Sequence, residues 1–176
     1  MTPYRGLTED AYDRLIVVDL QNQFITSETE KLVPAIEALI PHFKRVVISQ
    51  IEHDPEQYVY RLKKWTPAPF GSEGYKCALN LEGIAEKRIH FTRKRFFSAL
   101  TEDAIDFLGL SRGDSVHLCG MDTDICVMQT GVELLKIGMR PVLLGKHCAS
   151  YGGERLHKNA LVQCKRFFGT DQVLLD

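Results

Sequence analysis

The 176-residue chain lacks any apolar run long enough to cross a bilayer. Its longest apolar runs, such as residues 15–18, have the length of a β-strand, whereas a transmembrane helix needs about 20 apolar residues. The amino terminus also lacks the apolar core of a signal peptide. We therefore expect no membrane partner and a cytoplasmic location.

The chain also lacks a charge imbalance and a basic block. Its 22 Lys and Arg residues nearly balance 23 Asp and Glu residues, which gives a net charge of −1. Proteins that bind nucleic acid usually carry a strongly basic surface, so we expect no nucleic-acid partner. With 44% hydrophobic and 26% charged residues, the composition is that of an ordinary globular protein. The length suits a single domain over residues 1–176.

The cysteine pattern does not fit a disulfide framework, because the number is odd and no CxxC pair occurs. Cys119, Cys148 and Cys164 lie in apolar strand or helix patterns and are expected in the core. Cys126 differs because it follows a strand-like segment at the start of a helix-like one. Free N–H groups and the helix dipole at such a position lower a thiol's pKa and bind an oxyanion. Cys126 is therefore the candidate nucleophile.

Strand-like and helix-like segments alternate along the chain, which predicts an α/β fold. Strands are predicted over 14–20, 45–49, 88–92, 114–119, 140–145 and 172–175, and helices over 31–43, 101–110, 124–137 and 153–168. Continuous apolar strands between helices indicate a parallel sheet that is covered on both faces. Residues 51–85 are too many for an ordinary connection, and we expect them to pass over a binding site.

Three reactive residues lie at the predicted ends of strands, where open parallel sheets bind ligands. Asp19 ends the first strand, Lys94 follows the third and Cys126 follows the fourth. A carboxylate can accept the proton of a thiol, and an ammonium group favours the thiolate by its charge. This set predicts attack of Cys126 on a carbonyl carbon, followed by hydrolysis of a thioester.

Three segments in this order resemble the isochorismatase-like cysteine hydrolases, a family that includes nicotinamidases and N-carbamoylsarcosine amidase. They are residues 18–24 (VDLQNQF), Lys94 with residues 97–100 (FSAL), and residues 120–127 (GMDTDICV). The resemblance implies a Rossmann-like three-layer α/β/α fold with a six-stranded parallel sheet. It also implies an Asp–Lys–Cys catalytic triad, which here is Asp19, Lys94 and Cys126.

The same resemblance implies further features of the site. The peptide bond between Met121 and Asp122 is expected to be cis, and the backbone N–H groups of Asp122 and Cys126 are expected to form the oxyanion hole. Relatives also suggest a homo-oligomer that acts on a small-molecule substrate. Our leading hypothesis is a hydrolase that cleaves an amide C–N bond through a covalent thioester.

No metal or other cofactor is expected. Nicotinamidases that resemble this chain bind a metal through an Asp-x-His pair and a later His. Here Ile51 replaces the Asp before His53, and Ala68 replaces the later His. A metal site needs at least three protein ligands, so too few remain. Glu52 and Asp54 flank His53, but adjacent loop residues rarely converge on one ion. Nicotinamidase activity is therefore the less favoured alternative.

Several residues are candidates for substrate binding. Phe24 and Trp65 match aromatic pocket positions of relatives and suggest a flat or apolar substrate group, although either also suits a core. Gln50, at the end of the second strand, and Tyr151, after the fifth, face the same edge. Asp122 has two interpretations: its side chain caps the following helix, or it lines the pocket and favours a cationic or N–H-bearing substrate.

Other functions compete with the amidase hypothesis. True isochorismatases hydrolyse a vinyl ether and have the nucleophile replaced, so the presence of Cys126 argues against that activity. A non-catalytic binding protein on the same scaffold is disfavoured by the intact triad. A thiol redox sensor is disfavoured because no resolving cysteine stands next to Cys126. A Cys126–His147 dyad is a further alternative, but no sequence feature pairs these residues.

Overall fold

The sheet has six strands, all parallel, as the sequence predicts. The computed structural model describes residues 12–52 and 54–175. The strands are β1 (Arg14–Val18), β2 (Arg45–Ile51), β3 (Ile89–Lys94), β4 (Ser115–Gly120), β5 (Arg140–Cys148) and β6 (Val173–Leu174). Their spatial order is β3-β2-β1-β4-β5-β6. The predicted α/β class is therefore confirmed.

Helices connect the strands. They are α1 (Leu32–Leu39), α2 (Tyr58–Lys63), α3 (Glu102–Leu108), α4 (Met128–Lys136) and α5 (Glu154–Phe168). The chain moves across the sheet in one direction from β1 to β3 and in the other from β4 to β6. Because parallel crossovers are right-handed, this reversal places the two groups of connecting helices on opposite faces of the sheet.

The core lies on both faces of the central strands. Residues 15–18 of β1 and 46–48 of β2 are fully buried, in agreement with their continuous apolar sequence. Cys119, Cys148 and Cys164 are buried in this core or beneath its helices, as predicted. No helix in the described ranges is long and apolar enough to cross a membrane.

The sheet reverses its strand order between β1 and β4, and a crevice forms at such a point beyond the carboxyl ends of the strands. The two strands approach closely here. Gly120, the last residue of β4, has a φ of 105°, and a Cβ at this position would collide with the carbonyl of Val18. A glycine is therefore required where the ends of β1 and β4 meet.

Two local features differ from the sequence-based prediction. The long connection after β2 contains helix α2, which the sequence pattern did not indicate. The helix predicted over 124–137 begins with a π-helical turn, Thr123–Val127, before α4 continues it. Cys126 lies in that turn, which is therefore the local structure that positions the thiol.

Candidate active site

Asp19 and Lys94 form a buried ion pair. The Lys94 Nζ lies 2.7 Å from Oδ2 of Asp19, and each side chain is only 2% exposed. Asp19 follows the last residue of β1, and Lys94 is the last residue of β3, so the lysine reaches across β2. Ser49 of β2 lies between them and donates from its Oγ to Asp19 Oδ1 at 2.9 Å.

Backbone groups fix both members of the pair. The N–H of Asp19 donates to the carbonyl of Ser49 at 3.1 Å. The Lys94 ammonium also donates to the carbonyls of Phe96 and Phe97. These contacts hold the carboxylate and the ammonium group in one orientation, which a catalytic group requires.

Burial and the opposite charges act against each other in this pair. Loss of hydration raises the pKa of Asp19, against the opposing effect of the Lys94 charge. Burial alone would lower the pKa of Lys94, but Asp19 and Cys126 more than offset it and the pKa is raised. A carboxyl group with a raised pKa is a stronger base than an ordinary aspartate.

The Cys126 thiol lines the same cavity as Asp19 of the Asp19–Lys94 ion pair. Cys126 is 7% exposed, and its thiol is coupled electrostatically to Asp19 and Lys94. Burial raises the pKa of the thiol to about 12, with Lys94 acting in the opposite direction and Asp19 in the same one. The sequence-based expectation of a lowered pKa is therefore wrong, because the thiol is buried beside an anion. The protonated thiol is the resting form at neutral pH.

The turn that carries Cys126 is held by its own backbone hydrogen bonds. The peptide bond between Met121 and Asp122 is cis. The Asp122 carbonyl accepts from the N–H of Ile125 at 3.1 Å and from that of Val127 at 3.0 Å. The N–H of Cys126 lies between these two donors in the chain. Its role in binding an oxyanion stays a prediction.

The Asp122 side chain does not cap the following helix. Its Oδ1 accepts instead from the N–H of Tyr151, and Asp122 lines the cavity in front of Cys126. The capping interpretation is therefore wrong. Burial raises the pKa of Asp122 to about 6, with the N–H of Tyr151 opposing the shift.

A cavity of about 460 Å³ opens in front of the thiol. Its wall is built by Asp19, Gln23, Phe24, Lys63, Trp65, Thr66, Phe97, Met121, Asp122, Ile125, Cys126 and Tyr151. Phe24 is central to the aromatic part, because its ring centroid lies 6.2 Å from that of Trp65 and 6.3 Å from that of Tyr151. The predicted candidates Phe24, Trp65 and Tyr151 are thus brought together with Asp19 and Cys126.

Gln50 is not among the residues that line this cavity. Its side chain is 8% exposed, and Nε2 donates to the carbonyl of Tyr75 at 2.8 Å. The expectation that Gln50 binds substrate is corrected accordingly. The physical reason is that β2 continues to Ile51, so Gln50 lies within the sheet and pairs in register with Arg93 of β3.

Sequence reasoning missed several residues of the wall. Phe97 belonged to a segment that carried the family resemblance, so its position could have been found. No sequence pattern around Gln23 or Lys63 indicated that these residues line a cavity. Lys63 ends α2, the helix that the sequence did not predict, and only the folded path of this connection brings it to the cavity.

The remaining candidates lie elsewhere. Glu52 is buried and forms ion pairs with Arg95 at 2.9 Å and with Arg93 at 3.9 Å. His53 lies outside the described residues. Within the described ranges no group of three or more His, Cys, Asp or Glu side chains could hold a metal ion. His147 lines a different cavity from the one that contains Cys126, so the structure does not bring this pair together.

Comparisons with known proteins bear on the domain family and the fold. A sequence model described as the isochorismatase domain matches residues 14–171. A sequence search of curated proteins finds no match.

Three solved structures illustrate the shared fold. Nicotinamidase from Bacillus subtilis is 24% identical, with 93% of this chain and 99% of that chain covered and a TM-score of 0.74. N-carbamoylsarcosine amidase from Thermoplasma acidophilum is 24% identical, with 89% and 92% covered and a TM-score of 0.72. An isochorismatase-like hydrolase from Alkaliphilus metalliredigens is 20% identical, with 88% and 91% covered and a TM-score of 0.71.

Proposed function

The chain belongs to the isochorismatase domain family of hydrolases, and we propose that it is a cysteine hydrolase that cleaves the C–N bond of a small-molecule amide. Asp19, Lys94 and Cys126 form the proposed triad, within one domain over residues 1–176. The observation that supports this proposal is a thiol that shares a cavity wall with a buried, lysine-paired carboxylate and is coupled to it electrostatically.

The first half of the reaction forms a thioester. Asp19 accepts the thiol proton while the sulfur of Cys126 attacks the amide carbonyl carbon, and the carbonyl electrons move to oxygen. The backbone N–H groups of Asp122 and Cys126 bind this oxyanion, an interaction commonly worth about 3 kcal/mol of barrier. The tetrahedral intermediate collapses, the C–N bond breaks, and Asp19 returns the proton to the leaving nitrogen.

The second half hydrolyses the thioester. A water molecule enters after the amine leaves, Asp19 accepts one of its protons, and the oxygen attacks the acyl carbon. When the C–S bond breaks, the Asp19 proton passes to the sulfur, the carboxylic acid departs, and the thiol is restored.

The pKa directions suit this use of Asp19. A thiol with a pKa of about 12 does not ionise by itself at neutral pH, so a base must remove the proton during attack. Because the pKa of Asp19 is raised, it lies closer to the pKa values of effective general bases than that of an ordinary aspartate. Lys94 is proposed to keep Asp19 anionic until the proton moves and to stabilise the transient thiolate.

A substrate panel tests the proposal. Wild-type protein and the Cys126→Ala variant are incubated with primary amides, ureido acids and nicotinamide, and ammonia release is measured. We expect Cys126→Ala to lose at least about 10³-fold in rate, because the nucleophile acts as a unit with its base. Cys77→Ala, which removes a thiol outside the cavity, is the matched control. Activity that survives in Cys126→Ala would exclude covalent thiol catalysis.

A further inference from the structure

Two groups on the cavity wall have no part in the proposed reaction, and the first is the Gln23 amide. Its Oε1 accepts from the N–H of Ala68 at 2.8 Å, and this bond fixes which end of the amide is oxygen. The Nε2 is buried and has no hydrogen-bond partner among the described residues. Buried donors are nearly always paired, so an unpaired one on a cavity wall points to a ligand acceptor.

The second group is the Lys63 ammonium. Lys63 lines the cavity, and its Nζ lies 5.0 Å from the centroid of the Phe97 ring. No carboxylate in the described part of the chain lies within ion-pair distance of it. Lys63 is exposed, and an ammonium group over an aromatic face retains its charge for an anion.

No carboxylate of the described cavity wall forms an ion pair with Lys63, although the Lys63 charge acts to lower the pKa of Asp122. Asp19 is compensated by Lys94 at 2.7 Å. Asp122 has one oxygen engaged by the N–H of Tyr151. Lys63 is therefore the cationic group of the wall that has no ion-pair partner in the described ranges, and Gln23 adds an unused donor to the same wall.

We propose that the substrate is an amide that also carries a carboxylate, and that Gln23 and Lys63 bind the carboxylate while the amide carbon faces Cys126. The inference rests on the proposed function. A cavity of about 460 Å³ accommodates a small molecule with groups at both ends. Lys63 and Gln23 are thus specificity-determining residues that select acidic amides over neutral ones.

Matched ligands test this selectivity by binding, without reliance on turnover. Calorimetry with the Cys126→Ala variant compares succinamate and glutaramate with succinamide and glutaramide, in which a neutral amide replaces the carboxylate. We expect the acids to bind about tenfold more tightly, since charge-assisted hydrogen bonds exceed neutral ones but the exposed Lys63 is screened. Equal binding of acid and diamide, or binding of neither, would overturn the proposal.

Variants assign the effect to the two residues. Lys63→Met is expected to remove most of the preference for the acid, and Lys63→Arg to keep it. Gln23→Glu retains an oxygen for the Ala68 N–H but replaces the Nε2 donor by an anionic oxygen. This variant should therefore weaken binding of the acids at least as much as Lys63→Met does. Lys64→Met removes the same charge one residue away, outside the cavity wall, and should leave the preference unchanged. A preference that persists in both Lys63→Met and Gln23→Glu contradicts the inference.

Hydrolysis by the wild type separates this inference from the proposed function. If Cys126-dependent hydrolysis of the diamides is as fast as that of the acids, the proposed function stands and the selectivity is wrong. If the acids bind selectively but no amide is cleaved, the binding inference stands and the proposed chemistry is wrong.

Discussion

Substitution of Lys94 by Met removes one member of a buried ion pair and leaves the other without its partner. Asp19 and Lys94 are each 2% exposed and 2.7 Å apart. Removal of one partner from such a pair typically costs about 3–5 kcal/mol of stability, because a buried charge is left uncompensated. The Phe96 and Phe97 carbonyls lose a donor at the same time. We therefore expect Lys94→Met to lower the free energy of unfolding by about 3–5 kcal/mol at neutral pH.

The loss should depend on pH in a defined direction. Burial already raises the pKa of Asp19, and removal of the Lys94 charge raises it further. A carboxyl group whose pKa is raised in the folded state contributes stability below its unfolded pKa of 3.8, and this contribution is lost as pH rises through the folded pKa. The variant completes this loss at a higher pH than the wild type. The difference between the two proteins should thus be smallest in acid and grow towards neutral pH.

Urea unfolding of both proteins at several pH values, from about 5 to about 8, measures this difference. Lys76→Met provides a control, because Lys76 and Glu73 form an ion pair of the same 2.7 Å length that is largely exposed. An exposed pair is worth under about 1 kcal/mol, so the control should change little. A loss in Lys94→Met that is the same at every pH, or no larger than in the control, would refute the reasoning.

Further predictions concern the thiol, the carboxylate, the strand contact and the assembly. The rate of alkylation of Cys126 by iodoacetamide should rise with pH beyond neutrality, since its pKa is raised to about 12; a plateau below about pH 8 would contradict this. Ser49→Ala should lower kcat about tenfold with little change in KM, because the Asp19 carboxylate loses a donor; an unchanged kcat would show that the hydroxyl is dispensable. Gly120→Ala should destabilise the fold by several kcal/mol, roughly 3 or more, in thermal unfolding, because its Cβ collides with backbone; a stable variant would show that β1 and β4 can separate. Sedimentation should reveal a homo-oligomer, and a strict monomer would contradict that expectation.

The sequence was sufficient for the sheet because its central strands are buried on both faces and therefore read as continuous apolar runs. Strand ends were less certain, since polar residues occur both at the ends of strands and just beyond them. Gln50 shows the consequence: β2 extends two residues past the predicted end, so a residue placed at the edge lies within the sheet.

Two features could not be predicted from the sequence: how deeply the thiol is buried, and which residues far apart in the chain meet at the cavity. The position of Cys126 in the chain indicated a helix start but not how far the thiol lies from water, and burial reversed the expected direction of its pKa. Lys63 reaches the cavity from the end of α2, and no periodic pattern in the sequence indicated this placement. Phe24 and Trp65 were identified through resemblance to relatives, which carries tertiary information that local patterns lack, and Tyr151 was identified from its place after the fifth strand.

Strand β3 ends the strand order, with β2 as its only neighbour in the described sheet. The ammonium group of the proposed triad therefore comes from an edge strand, which is paired on one side only. Transient fraying of this strand would carry Lys94 away from Asp19 while the central strands stay intact. Enzymatic activity would then disappear at a lower denaturant concentration than the far-ultraviolet circular dichroism signal, and amide hydrogens of residues 89–94 would exchange before those of β1.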